Sequence, residues 1–143
     1  MRYADETIVV GTMTLPGTER SVRNARLFVR DLLPVEWPVR GDLELVCTEL
    51  SANAVRHTAS GRGGHFSVVL RRSSDRLIVE VVDDGSGGRP VRRTPAGEPG
   101  EGGRGLQLVN ELALSWGYRT LGFRTSVFAE FELPALLREP VRG

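Results

Sequence analysis

The sequence has no lysine, and all 19 of its basic residues are arginines. Phosphate-loop NTPases, protein kinases of the eukaryotic type and pyridoxal enzymes each need a lysine amine at a fixed point in the mechanism. The absence of lysine therefore excludes these three classes of enzyme.

Cysteine is nearly absent as well, since Cys47 is the only one. One cysteine cannot form an intramolecular disulfide or a thiolate zinc cluster, which favours a reduced, cytoplasmic protein. Cys47 falls on the apolar side of a predicted helix, which indicates a core residue more than a reactive thiol. No apolar run is long enough to span a membrane, and Met1 to Glu6 does not resemble a signal peptide.

The charge shows little bias, because 19 basic residues stand against 18 acidic ones in a chain of 143 residues. Nucleic-acid binding requires clustered, uncompensated basic residues, and here the two signs are interleaved. We therefore expect no direct binding of nucleic acid. The length fits a single domain over residues 1–143.

The pattern of apolar and turn residues predicts the order strand, helix, helix, hairpin, loop, helix, hairpin. The predicted elements are a strand Thr7–Leu15, a helix capped by Thr18, a helix Leu43–His57 capped by Asp42, strands His65–Arg72 and Arg76–Val82, a helix Gly105–Leu114, and strands Trp116–Thr120 and Arg124–Leu133. A long glycine-rich segment from Asp83 to Arg104 interrupts them. This order predicts a two-layer α/β sandwich, with a mixed sheet covered by helices on one face.

A polar stripe lies on the second predicted helix, where Glu49, Asn53 and His57 follow one another at intervals of four with Arg56 beside Glu49. A solvated helix face would have the same pattern. In the functional interpretation, the Asn53 oxygen is a hard ligand for magnesium and the Glu49 carboxylate is a base.

A second motif follows a strand rich in branched residues, which ends in Asp83 and is followed by Gly85 and Gly87. The glycines allow the backbone to turn and to approach a ligand closely. A carboxylate at this point can accept a hydrogen bond from an exocyclic amine such as that of adenine. An ordinary Asp-Gly turn is the alternative.

A third motif, Gly103-Arg104-Gly105-Leu106, stands at the start of a predicted helix. Glycines at a helix start expose backbone N–H groups, and the helix dipole adds partial positive charge. This motif is a candidate phosphate cradle in which Arg104 supplies the cation. A flexible linker would look similar.

Taken together, the three motifs resemble the N, G1 and G2 boxes of the GHKL ATPase superfamily, which has the Bergerat ATP-binding fold. The matching segments are Glu49–His57, Asp83–Gly87 and Gly103–Leu106, and the resemblance extends from about Thr7 to Leu133. The short length, the Asn-Ala-x-x-His ending of the first box and the later Trp116-Gly117 look most like the anti-sigma-factor serine kinases of actinomycete-type bacteria.

The resemblance implies ATP and Mg²⁺ as cofactors and assigns roles to matching positions. Asn53 would coordinate magnesium, and Glu49 would activate a substrate serine or a water. Asp83 would bind the adenine amine, while Gly85 and Gly87 would shape the adenine pocket.

The same resemblance assigns phosphate binding to Gly103, Gly105 and the N–H groups that follow, beginning at Leu106. Ser126 would line the far side of the adenine pocket, at a position where the family often has threonine. Residues 84–102 would form a mobile lid. Arg56 stands where related kinases carry a phosphate-binding lysine, and His57 would either approach the nucleotide or satisfy carbonyls at the helix end.

The implied function is an ATP-dependent anti-sigma-factor serine kinase. It would sequester a sigma factor and phosphorylate a small anti-anti-sigma antagonist protein. The resemblance also allows a homodimer through the amino-terminal strand and helix. The alternatives are a non-catalytic switch module that sequesters a partner, and a detached catalytic domain of a sensor kinase.

Overall fold

The computed structural model describes residues 6–85 and 103–133. Its elements in chain order are β1 (Ile8–Pro16), α1 (Glu19–Leu32), α2 (Val39–His57), a short 3-10 helix (Ala59–Gly61), β2 (His65–Arg72), β3 (Arg76–Asp83), α3 (Gly103–Leu112), β4 (Ser115–Leu121) and β5 (Arg124–Glu132). The strands form one sheet in the order β1-β2-β3-β5-β4.

The predicted two-layer α/β sandwich is confirmed, but the sheet is antiparallel where a mixed sheet was expected. All four described strand pairs are antiparallel. Two of these pairs are hairpins, β2–β3 and β4–β5. The other two pairs are joined by α1, α2 and the short 3-10 helix in one case, and by a connection that contains α3 and β4 in the other.

Helix α1 begins where its sequence pattern predicts. The Thr18 side chain accepts a hydrogen bond from the Ser21 N–H at 3.3 Å, which satisfies one of the free donors at the helix start. Val22, Ala25 and Val29 are buried and form the apolar stripe. The arginines of this helix are half-buried or exposed.

Helix α2 begins at Val39, earlier than the predicted start at Leu43, and Pro38 occupies the N-cap position. The prediction that Asp42 caps this helix is wrong, because Asp42 lies inside its first turn. Proline is well tolerated at a helix start, where its missing N–H would have no partner in any case. An acidic residue in the first turn favours the helix through its dipole.

The core lies between the helices and one face of the sheet. On β3, the side chains of Leu77, Val79 and Val81 belong to this core. Ile78 and Glu80 alternate with them and therefore face the opposite, outer side of the sheet. No helix within residues 6–85 and 103–133 is long and apolar enough to cross a membrane.

Cys47 belongs to this core, as its place on the helix predicts. Its side chain is fully buried and lies 3.9 Å from the Ser51 hydroxyl. Burial raises the pKa of the Cys47 thiol to about 12. The thiol therefore stays protonated near neutral pH and is a packing group.

Candidate functional site

The polar stripe on α2 extends from the core to the surface. Glu49 and Asn53 are half-buried, whereas Arg56 and His57 are exposed on the last turn. Because these positions follow the helical repeat, Glu49 lies one turn before Asn53 on the same side of α2. The stripe therefore brings a carboxylate and a carboxamide together at the edge of the buried face.

Asp83 is the last residue of β3, a central strand of the sheet, and its residue surface is 1% exposed. Its Oδ1 accepts a hydrogen bond from the Gly85 N–H at 2.7 Å. Gly85 has a φ of +63°, and a Cβ added there would overlap the Phe123 carbonyl. Only glycine fits this turn, which holds the backbone beside the Asp83 carboxylate.

Asn53 and Asp83 line the same pocket, although they come from different elements. Among the residues that the structure describes, the lining is Leu50, Asn53, Ala54, Asp83, Leu106, Trp116, Tyr118 and Val127. The pocket encloses about 20 Å³, which is room for a single water molecule. An adenine ring is much larger, so binding of a nucleotide here requires the lining side chains to move apart.

Leu106 brings the start of α3 to this pocket. The helix begins at Gly103, so Gly103 and Gly105 both belong to its first turn. The first four N–H groups of a helix have no partner within the helix and are free to bind an anion. The Arg104 side chain, Gly87 and the predicted lid beyond Gly85 lie outside what the structure describes.

Ser126 does not lie where the prediction put it, and Thr125, the residue before it, faces the helices instead. Ser126 pairs with Val82, and its hydroxyl donates a hydrogen bond to Glu80 on the outer face of the sheet. Thr125 pairs with Asp83 and therefore faces the helices. The predicted position of Ser126 is therefore wrong. Successive side chains of a strand point to opposite faces of the sheet, so an error of one residue places the side chain on the wrong face.

The Thr125 hydroxyl is buried and has no hydrogen-bond partner among the described residues. The position at which a Cβ of Gly85 would lie is 3.6 Å from that hydroxyl oxygen. A buried hydroxyl without a partner is unfavourable unless a water or a ligand satisfies it. Thr125 is therefore a candidate binding residue that the sequence prediction missed.

Two aromatic pocket residues, Trp116 and Tyr118, were also missed. Both lie on β4 at alternate positions, and they pair with Ala129 and Val127 of β5. Alternate residues of a strand share one face, so the Trp-x-Tyr spacing was the available signal. Aromatic rings at this place offer a flat apolar surface for a nucleobase.

The donor set is compatible with magnesium bound jointly by the protein and phosphates. Within residues 6–85 and 103–133 there is no cluster of three or more His, Cys, Asp or Glu side chains that could hold a metal ion. Magnesium is commonly held by one or two protein oxygens together with water and substrate phosphates. The carboxamide oxygen of Asn53, at the edge of the pocket, meets that requirement.

These features define a class of protein: a two-layer nucleotide-binding domain whose pocket lies between the helices and the carboxyl end of a central strand. The family model of the histidine kinase-like ATPase domain matches residues 15–127, and the chain belongs to this family. No curated protein matches the chain. Membership supports the GHKL-type assignment and implies ATP binding, typically with Mg²⁺.

Proposed function

We propose that the protein is an ATP-dependent serine kinase that acts as an anti-sigma factor. In this proposal it sequesters a sigma factor and transfers phosphate to a serine of a small antagonist protein. The observation that carries the proposal is that Asn53 and Asp83 line one pocket while Glu49 lies one helical turn from Asn53.

Different side chains near the pocket have different roles in this proposal. Asp83 accepts a hydrogen bond from the adenine amine, and the Thr125 hydroxyl provides a second polar contact beside it. The Asn53 oxygen would hold Mg²⁺, which would supply positive charge to neutralise the phosphates. The first turn of α3 supplies N–H groups to the phosphates.

Glu49 is the base in this scheme. A carboxylate one helical turn from the pocket residue Asn53 can accept the proton of a substrate serine hydroxyl as that oxygen attacks the terminal phosphate. Glu49 is half-buried on α2, so the residue is partly accessible to an incoming protein substrate.

Labelled ATP incubated with the antagonist protein tests this role. Glu49→Ala should abolish phosphate transfer to serine and leave the affinity for Mg²⁺-ATP within about threefold, since the base contacts the acceptor and not the adenine. Glu44→Ala is a matched control on the same helix, because Glu44 pairs with Arg26 at 3.6 Å, away from the pocket lining. Transfer that persists in Glu49→Ala would eliminate Glu49 as the base.

The small volume of the pocket favours a second candidate, a non-catalytic switch module that acts by sequestering its partner. A pocket of about 20 Å³ must open to admit adenine. If the opening is too unfavourable, the domain serves only as a binding surface. Calorimetry with ATP and Mg²⁺ separates the two candidates, because absence of binding would eliminate the kinase and leave the switch.

A further inference from the structure

The chain between α2 and β2 is tied to the end of β3 through Ser60. This serine belongs to the short 3-10 helix and is fully buried. Its hydroxyl donates to the His65 carbonyl at 2.8 Å and accepts from the Asp84 N–H at 2.9 Å. One buried hydroxyl therefore connects the turn that follows α2 to the first residue of β2 and to the residue after Asp83.

Asp84 and Gly85 add two further connections. The Asp84 Oδ2 accepts from the His65 N–H at 2.9 Å, and the Ala59 N–H donates to the Gly85 carbonyl at 2.6 Å. We call these contacts among Ala59, Ser60, His65, Asp84 and Gly85 the α2–β3 junction. Its hydrogen bonds fix the two residues directly after Asp83 against the segment directly after α2.

The junction has almost no free space in which to shift. A Cβ added at Gly64 would overlap the Asp84 carboxylate, and one at Gly61 would overlap the Val55 carbonyl of α2. A Cβ at Gly17 would overlap the Ser60 carbonyl. The backbone segments at the junction are therefore packed closely, without room for side chains at these three positions.

We propose that Ser60 and Asp84 are positioning residues of the nucleotide site. They hold the end of β3, which carries Asp83, in register with α2, which carries Asn53. A ligand that contacts both residues binds best when their separation is already correct in the free protein, because no ordering is then required. This inference rests on the proposed binding of ATP.

The exposure of Asp84 separates positioning from general stability. Its side chain is 34% exposed, and Arg124 approaches it at 3.8 Å. A partly exposed ion pair of this kind contributes little to the free energy of unfolding. Loss of the Asp84 carboxylate should therefore disturb the geometry of the site more than the stability of the fold.

The test is calorimetric titration of the full chain with Mg²⁺-ATP, well below the unfolding temperature. We expect Ser60→Ala and Asp84→Ala each to weaken ATP binding about tenfold, because each leaves junction groups without partners. Asp84→Asn keeps an acceptor oxygen for the His65 N–H and should bind within about threefold of the wild type. If the negative charge of Asp84 alone were responsible for its effect on ATP binding, Asp84→Asn would not restore the affinity.

The matched control is Asp75→Ala at the other end of β3. Asp75 accepts from the Ser73 hydroxyl at 3.1 Å and from the Arg76 guanidinium at 3.0 Å, and its side chain is 47% exposed. This variant removes a comparable carboxylate far from the pocket, so ATP affinity should not change.

If the wild-type protein binds ATP, three results with the variants would overturn the inference. They are unchanged affinity in both Ser60→Ala and Asp84→Ala, equal weakening by Asp75→Ala, and failure of Asp84→Asn to rescue. If Ser60→Ala does not fold, the comparison of Asp84→Ala with Asp84→Asn tests the inference by itself. A wild-type protein that does not bind ATP would overturn the proposed function itself, and the inference with it.

Discussion

Asp83 and Glu80 are buried carboxylates on opposite faces of β3, with exposed fractions of 1% and 2%. Glu80 faces the outer side of the sheet, where it accepts a hydrogen bond from Ser126 and lies 3.3 Å from the Arg71 Nε. Arg119 lies 3.6 Å from its second oxygen. Asp83 faces the helices and borders the pocket, and the hydroxyl of its strand partner Thr125 has no hydrogen-bond partner among the described residues.

The comparison shows that burial of a carboxylate does not by itself identify a binding site. Glu80 is neutralised by arginines of β2 and β4, so its environment is complete without a ligand. Beside Asp83, the structure leaves a cavity and an unsatisfied hydroxyl, and both are features that a ligand can satisfy. The helix-facing side is therefore the candidate functional face, and the outer side is structural.

The largest expected effect is on nucleotide affinity at Asp83. Asp83→Asn keeps the size of the side chain but removes the charge, which should weaken ATP binding by about 1.5–3 kcal/mol, roughly ten- to a hundredfold. Calorimetry measures this change. Glu80→Gln is the paired variant on the outer face and should leave ATP affinity within about threefold. Equal losses in the two variants would remove the distinction between the faces.

A smaller effect is expected on stability at Glu80. Glu80→Ala leaves the Ser126 hydroxyl and the neighbouring guanidinium groups without their acceptor, and should lower the free energy of unfolding by about 1–3 kcal/mol. Urea denaturation measures it. Glu132→Ala is the control, since the Glu132 side chain is 56% exposed and lies 3.8 Å from Arg76. A stability loss at Glu132 as large as that at Glu80 would contradict the account of the outer face.

The smallest expected effect is at Thr125, where stability and affinity should change in opposite directions. Thr125→Val removes a buried hydroxyl that has no described partner, which should raise the stability of the ligand-free protein by roughly 1 kcal/mol. The same change should weaken ATP binding by up to about tenfold. Thr125→Ser retains the hydroxyl and should retain the affinity. Unchanged affinity in the valine variant would exclude Thr125 from the site.

Local patterns predicted much of the fold. The apolar stripe of α1, its Thr18 cap and the β2–β3 hairpin all depend on residues close together in the sequence, and the structure contains them. The start of α2 was predicted too late in the sequence because Asp42 is a typical capping residue. In the structure, Pro38 occupies the N-cap and the helix begins at Val39. The helix starts without a side-chain cap hydrogen bond, so a search for a capping side chain could not locate its first residue.

Parts of the candidate site could not be predicted from local sequence patterns. Whether Thr125 or Ser126 faces the pocket depends on the register of β5 against β3, and a shift by one residue exchanges the two. The junction of Ser60 with Asp84 joins residues 24 positions apart. Such contacts form only when the sheet is assembled, and the sequence motifs do not reveal them.

The central claim is that nucleotide binds on the helix-facing side, in the pocket that contains Trp116. The chain has 2 tryptophans, so Trp37→Phe leaves Trp116 as the one fluorescent indole. Titration of that variant with Mg²⁺-ATP should change Trp116 emission, with half of the change reached at the calorimetric Kd. Asp83→Asn should shift this curve to roughly ten- to a hundredfold higher ATP concentration. Calorimetric binding without any change in Trp116 emission would place the nucleotide elsewhere and contradict the account.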